Sequence, residues 1–267
     1  MPIGTKITNP LTDPIPAEVP LPNAPLERVI AQVRFSSILK IEQREFITAF
    51  QDSVRDTYPS LEHDLTQLLA LGPDGMIPKE TSTRWRFIDV SGQWTVSLAP
   101  EFVAIETTHY TSRADFFDRF ATVLEQVHAH FKPGLVERIG VRYIDRIEAD
   151  GLAEIATLVR AELAGVLRTP FRAAAVHALS EHIFEVDSAR LLARWGILRA
   201  KGTVDPAAIA PIEDPSWLLD LDMFKAAKQP FDPAAIVAEA RGYAERIYCF
   251  FRWAVTPAFL TRYGGAA

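Results

Sequence analysis

Cysteine occurs once in 267 residues, at Cys249, so an internal disulfide is excluded and stability must come from an apolar core. In AERIYCFFRWAV that thiol sits among large apolar side chains, with no histidine within two helical turns. This predicts a small buried hydrophobe and not a nucleophile. No apolar run approaches the roughly 20 residues that a membrane-spanning helix needs, and MPIGTKITNPLTDPIPAEVP lacks the apolar stretch of a signal peptide. The expectation is a cytoplasmic chain with no membrane partner. Glycine-rich phosphate loops are missing as well. GPDG at 72–75 reads as a turn and G-x-x-x-x-G-K-[ST] does not occur, which excludes nucleotide hydrolysis of the P-loop type. The six histidines, His63, His109, His128, His130, His177 and His182, form no H-E-x-x-H. His128 and His130 stand two apart on a predicted helix and point to different faces. There is no G-x-S-x-G elbow. The sequence therefore names no catalytic residue, no metal site and no cofactor. Asp220 and Asp222 share a strand face and could hold a divalent ion with Glu181; a solvated acidic strand opposite arginines explains them equally well. An excess of positive charge is absent too. The net charge of −6 argues against a surface that is basic overall and grips nucleic acid by counterion release, although a local basic face is compatible with it.

What is present is a 48% hydrophobic chain, long enough to bury one large core or two small ones. Five prolines fall in the first 20 residues, without apolar periodicity, so residues 1–20 read as an extended arm. From Arg28 the chain alternates. Val29, Ala31, Val33 and Phe35 face one way, and Arg28, Ile30, Gln32 and Arg34 face the other, as in a half-buried strand. IEQREFITAFQDSVRDTYP then places Phe46, Phe50 and Val54 on one helical stripe, ended by Pro59. A polar loop is expected over 60–82. Three short β-rich runs follow, RWRFIDV, WTVSLA and FVAIETTHY, split at Ser91-Gly92-Gln93 and Pro100-Glu101. Ser112 and Asp115 form a capping-box pattern ahead of a helix with Phe116, Phe117, Phe120, Val123, Leu124 and Val127 inward.

The second half repeats this order. Val141-Arg142-Tyr143 in VERIGVRYIDRI matches Val33-Arg34-Phe35 at an offset of 108, and Ile155, Val159 and Leu163 match the first helical stripe at 109. AVHALSEHIFEV, RLLARWGILR and WLLDLDMF supply three strands. Asp232 and Pro233 then open a helix whose Ile236, Val237, Ala240, Tyr243, Ala244 and Ile247 lie 120 residues after their counterparts. The fold class expected is α+β: a tandem duplication of a β-α-β-β-β-α unit, with antiparallel sheets and helices on one face, in a saddle-like or helix-grip-like arrangement. The boundaries are an arm over 1–20, a first repeat over 21–135 and a second over 136–267. Similar periodicity in two unrelated units is the other explanation.

The face turned from the helices is rich in arginine. It carries Arg28, Gln32, Arg34, Arg84, Arg86, Glu106 and Thr108 in the first half. In the second it carries Arg138, Arg142, Arg146, His177, Glu181, Glu185, Arg190, Arg194, Asp220 and Asp222. One reading is a solvated sheet face laced by cross-strand pairs worth a few tenths of a kcal/mol each. The other is a recognition surface, since arginine's planar fork suits carboxylate or phosphate and lysine is nearly absent from these strands. On that second reading Arg34 and Arg142 are equivalent central contacts, Gln32, Arg138 and Arg146 surround them, and Asp220 and Asp222 set their orientation. The function expected is a non-enzymatic binding protein engaging an acidic protein partner or another anionic ligand. A nucleic-acid-binding or nucleic-acid-processing protein, and an enzyme acting on a small anionic metabolite, are the alternatives. Pro22-Asn23-Ala24-Pro25 reads as a rigid lead-in with a turn at Asn23, with a recognition edge as the other reading. Tyr248, Phe250, Phe251 and Trp253 surround most of the last helix. Such a helix must be covered from several sides, either by the other unit or by a second chain in a homodimer.

PLPNAPLERVIAQVRF, RIGVRYIDRI, WLLDLDMF and YCFFRWAVTPAFL together resemble a sporadically distributed, uncharacterised prokaryotic protein family over residues 20–260. Its members open with Pro-Asn-Ala-Pro-Leu, carry an Arg-Tyr-Ile-Asn-Arg-like strand and close on an aromatic helix followed by Ile/Val-Thr. Here Asp145 stands where that family commonly has asparagine. The resemblance implies an accessory or mobile gene, with a protein partner encoded nearby, and brings no reaction with it. The element order is also similar to the duplicated unit of TATA-binding proteins, an analogy of topology that the acidic total weakens.

Overall fold

A computed structural model describes residues 7–72 and 75–265. It is an α+β protein. The strands are β1 (Leu26–Phe35), β2 (Ser60–Gly72), β3 (Gly75–Ile88), β4 (Trp94–Ala99), β5 (Phe102–Thr107), β6 (Leu135–Ile147), β7 (Ala178–Val186), β8 (Ala189–Leu198), β9 (Ser216–Lys225) and the two-residue β10 (Gln229–Pro230). Six α-helices lie among the described residues: α1 (Arg44–Val54), α2 (Arg113–Phe131), α3 (Ala149–Leu158), α4 (Ala161–Ala164), α5 (Pro233–Ala254) and α6 (Pro257–Arg262). The strands form one antiparallel sheet in the order β2-β3-β4-β5-β1-β6-β9-β8-β7, with β10 paired to β6. No helix among the described residues is long and apolar enough to cross a membrane.

The chain divides into two compact units. One comprises Ile30–Gly140 with Lys225–Arg241; the other comprises the segment up to Val29, Val141–Phe224 and Gly242 onward. In the first unit, alternation buries Ala31, Val33 and Phe35 on β1, Phe87 on β3, Val96 and Leu98 on β4, and Val103 and Ile105 on β5. Phe50 of α1 meets Phe87 and Phe131 at ring separations of 5.2 and 5.6 Å. The stripe of α1 runs through Ile47, Phe50 and Val54. Phe46, expected inward, is exposed, because the spacing from Ile47 fits the sheet-facing stripe and Phe46 lies beside it. Ser112 caps α2 by accepting from the Asp115 N–H at 3.1 Å. The Asp115 carboxylate does not return the bond but takes Thr111 and Arg119.

The polar stretch expected as a loop over 60–82 is instead strand β2 and much of β3. Its charges explain the difference. Glu62 stands opposite Arg86 and Asp64 opposite Arg84 in the register, each pair closing at 2.8 Å, so residues that look loop-like singly are matched across the ladder. The turn expected at Pro73-Asp74 lies outside the described residues. The tight turn at Gly92 (φ 72°) holds as expected, with Asp89 Oδ1 accepting from the N–H groups of Gln93 and Trp94.

In the second unit α3 stops at Leu158 and Val159 is extended (φ −119°, ψ 162°). The single helix expected through Leu163 is broken there. Val159 bridges Val255, the Arg160 N–H reaches Ala254 O, and the Thr256 N–H reaches Leu158 O, so tertiary pairing overrides the helical period. The arm is held against α5. Arg246 donates to Pro10 O and Asp13 O, the Val19 N–H donates to Tyr248 Oη at 2.8 Å, and Arg252 donates to Ala17 O. One side of the aromatic α5 is thereby covered by the chain's own N-terminal segment. Cys249 is fully buried, and burial raises its thiol above the ordinary range.

Candidate anion-binding face

The arginines that share one face in the sequence fall into two environments. In the first unit, β1 turns Gln32 and Arg34 to the side opposite its buried Ala31, Val33 and Phe35. Arg34 is exposed, and no described side chain pairs with it. Arg138, half-buried on β6, folds back along its own strand: its Nη1 lies 3.4 Å from Gln32 Oε1. The floor beneath that guanidinium is Gly140, where a Cβ would stand 2.5 Å from Nη1. A side chain at 140 would push the fork off the strand. Arg84 and Arg86 are neutralised by Asp64 and Glu62.

In the second unit the corresponding arginines are closed in. Asp220 on β9 has no exposed surface and is gripped by two guanidiniums. Arg142 reaches it with Nε at 2.8 Å and Nη2 at 2.9 Å, and Arg194 with Nη2 at 2.6 Å and Nε at 2.9 Å. The remaining Nη1 of Arg142 donates to Asp205 at 2.7 Å, leaving the Arg142 side chain 12% exposed. Arg146 is 1% exposed, donates to Ala210 O at 2.6 Å and lies 3.9 Å from Glu27. Asp222 is half-buried. The cover is the connection between β8 and β9. It is pinned by Thr203 Oγ1 donating to Ile209 O, and it buries Ala208 and Ile209. The expectation of an uncovered arginine face thus fits Arg34 but not Arg142 or Arg146, because residues 199–215 lie over the latter two.

The electrostatics follow the geometry. Burial opposes the charge on Arg142, but the Asp220 and Asp205 carboxylates together outweigh it and raise the guanidinium further above its ordinary value. Asp205 is likewise penalised by burial, yet Arg142 and the Ala207 and Ala208 N–H groups hold its carboxyl below the usual range. A fully buried carboxylate held by two guanidiniums would have to give up those charge-assisted bonds to reach a metal, which argues against Asp220 in the cation set considered with Asp222 and Glu181. Among the described residues, no group of three or more His, Cys, Asp or Glu side chains is placed to hold a metal ion.

Asp145 is a different case. It lies between Ile144 and Arg146 on β6, is buried, and burial alone pushes its carboxyl up to about 7. Its charge, acting after burial and Arg262, contributes to the shift of Tyr263. Sequence reasoning placed Arg142, Arg194 and Asp220 on one face and missed Asp205, Ala210 and Glu27, which complete the closed cluster from distant segments. The only signal for the cover was the apolar Ala207-Ala208-Ile209 inside a polar, proline-bounded connection. No protein-family model matches the chain, and no curated protein matches it.

Proposed function

We propose that this chain is a binding protein whose first unit engages an acidic protein segment, or another anionic ligand, through Arg34, with Arg138 and Gln32 beside it. The observation that carries the reading is the contrast between residues at matching sequence positions. Each guanidinium nitrogen of Arg142 donates to a carboxylate, whereas Arg34 is exposed with no described partner. The planar guanidinium fork offers a pre-organised pair of donors to a carboxylate. Arg138, steadied over Gly140 by Gln32, supplies a second fork next to it. The Arg142 cluster is, on this reading, structural.

The reading includes a duplicated origin. The strand order is symmetric about the β1-β6 neighbours, with β4-β5-β1 on one side and β6-β9-β8 on the other. The offsets of 108 to 120 residues run in the same direction. Two copies of one strand that began alike would have diverged, one closing its arginine under the β8–β9 connection and one leaving it open.

The test is binding of a fluorescent polyglutamate peptide by anisotropy. Arg34→Glu combined with Arg138→Glu should weaken it by at least about tenfold, since hydrogen bonds to charged groups contribute about 1.5–3 kcal/mol each; Arg34→Glu alone, at an exposed side chain, should weaken it in the same direction and leave the melting temperature nearly unchanged. Unaltered affinity in the double variant would refute the site. Preferential binding of single-stranded DNA, with affinity falling steeply as salt rises, would replace the acidic protein by nucleic acid.

A further inference from the structure

At the other end of the strand order, β7 terminates the sheet. Its pairing with β8 is unbroken from Ala178↔Ile197 to Val186↔Ala189, so its outer edge presents an evenly spaced row of N–H and C=O groups. Sheet edges are ordinarily blunted by charged side chains, lysine above all, or by proline, a bulge or a covering segment, and the charges β7 carries are the carboxylates of Glu181 and Glu185. β7 has no lysine and no proline, its register shows no bulge, and no described segment pairs with its outer side. Its surroundings are apolar. Among the described residues, four of the eight exposed large apolar side chains fall in this short stretch: Phe171, Val176, Leu179 and Ile183, the last 63% exposed. The row facing away from buried Leu191 and Ala193 of β8 reads Leu179, Glu181, Ile183, Glu185. Its two carboxylates are 58% and 81% exposed and only loosely balanced, at 4.0 Å by Arg194 and 3.7 Å by Arg190.

We propose that the edge of β7 receives an extended segment of another protein, added as a further strand, with lysine or arginine at alternate positions facing Glu181 and Glu185 and apolar residues between them facing Leu179 and Ile183. Main-chain bonds along an open edge supply affinity, and the alternating row supplies selection. Charge decides between this occupant and a second copy of the chain. In a two-fold pairing that keeps the two cores on one side, residues of like parity face each other. Every such register that overlaps more than half of β7 then sets Glu181 or Glu185 opposite or diagonal to a glutamate of the other copy. Like charges at those positions oppose pairing, whereas a basic strand gains at each of them. This surface differs in place and in charge preference from the Arg34 site, so either can fail without the other.

The experiment is selection from a displayed library of random extended peptides against the intact protein, followed by amide hydrogen exchange of the complex with the best synthetic peptide. The expected result is enrichment of peptides alternating basic and apolar residues, protection concentrated in Ala178–Val186, and loss of binding when alternate peptide amides are N-methylated, a change that leaves the protein untouched. Glu181→Lys with Glu185→Lys should weaken the same peptide by about tenfold. Enrichment of acidic or helical peptides, no enrichment, or protection away from β7 would overturn the proposal. So would a dimer in sedimentation that Ile183→Lys dissociates, because the edge would then belong to a second copy.

Discussion

Replacing Asp145 by asparagine should make the stability of the protein less dependent on pH. The carboxyl is buried, and burial raises it from 3.8 to about 7. The folded state therefore holds a proton that the unfolded chain has released over that interval, and stability must fall as pH rises through it. The contribution is full below about pH 4 and is lost once pH passes about 7. At about 1.36 kcal/mol per pH unit the loss over the interval is on the order of 4 kcal/mol. Asparagine carries no charge and keeps the shape, but its amide brings a donor that needs a partner, a cost of about 1–3 kcal/mol. That cost does not vary with pH. It cancels when the stability difference between variant and wild type is compared at two pH values. Urea unfolding followed by tryptophan fluorescence, at about pH 4 and about pH 8, should show the variant gaining on the wild type by a few kcal/mol between the two. Parallel behaviour would refute the burial argument. A variant that loses ground as pH rises would mean that Asp145 is ionised in the fold and held by a partner.

Three further outcomes follow from the geometry. Gly196 has φ +143°, and a Cβ there would lie 1.9 Å from Ala178 O; Gly196→Ala should cost more than about 3 kcal/mol and speed amide exchange along β7. Arg246→Ala removes the Nη1 that donates to both Pro10 O and Asp13 O, so limited proteolysis should cut the arm while the circular dichroism of the remainder is kept. Gly140→Ala displaces the end of a flexible side chain, 2.5 Å from the new Cβ; stability should change by less than about 1 kcal/mol, while polyglutamate affinity falls.

Elements with a clear period were readable in the sequence, and those made by pairing were not. β1, β6, β8 and β9 alternate, and α2 and α5 carry both stripe and cap, so their positions follow from local pattern. β2 escaped because Glu62 and Asp64 look solvent-seeking until Arg86 and Arg84 stand opposite. The break at Val159 escaped because its cause, the bridge to Val255, lies 96 residues away. For the site, alternation placed Arg34 and Arg142 on one face but could not say which would be covered. That was settled by Asp205, Ala208 and Ile209 in a connection whose path no single-strand pattern encodes.

The division of labour between the two matching arginines is tested most directly by unfolding Arg34→Ala and Arg142→Ala side by side in urea at neutral pH. Arg142→Ala strands the fully buried Asp220 with one fork in place of two and Asp205 with none; removing one partner of a buried charge pair costs about 3–5 kcal/mol. Arg34→Ala should stay within about 0.5 kcal/mol of the wild type. Equal losses in the two variants would contradict the assignment of one arginine to binding and the other to the fold.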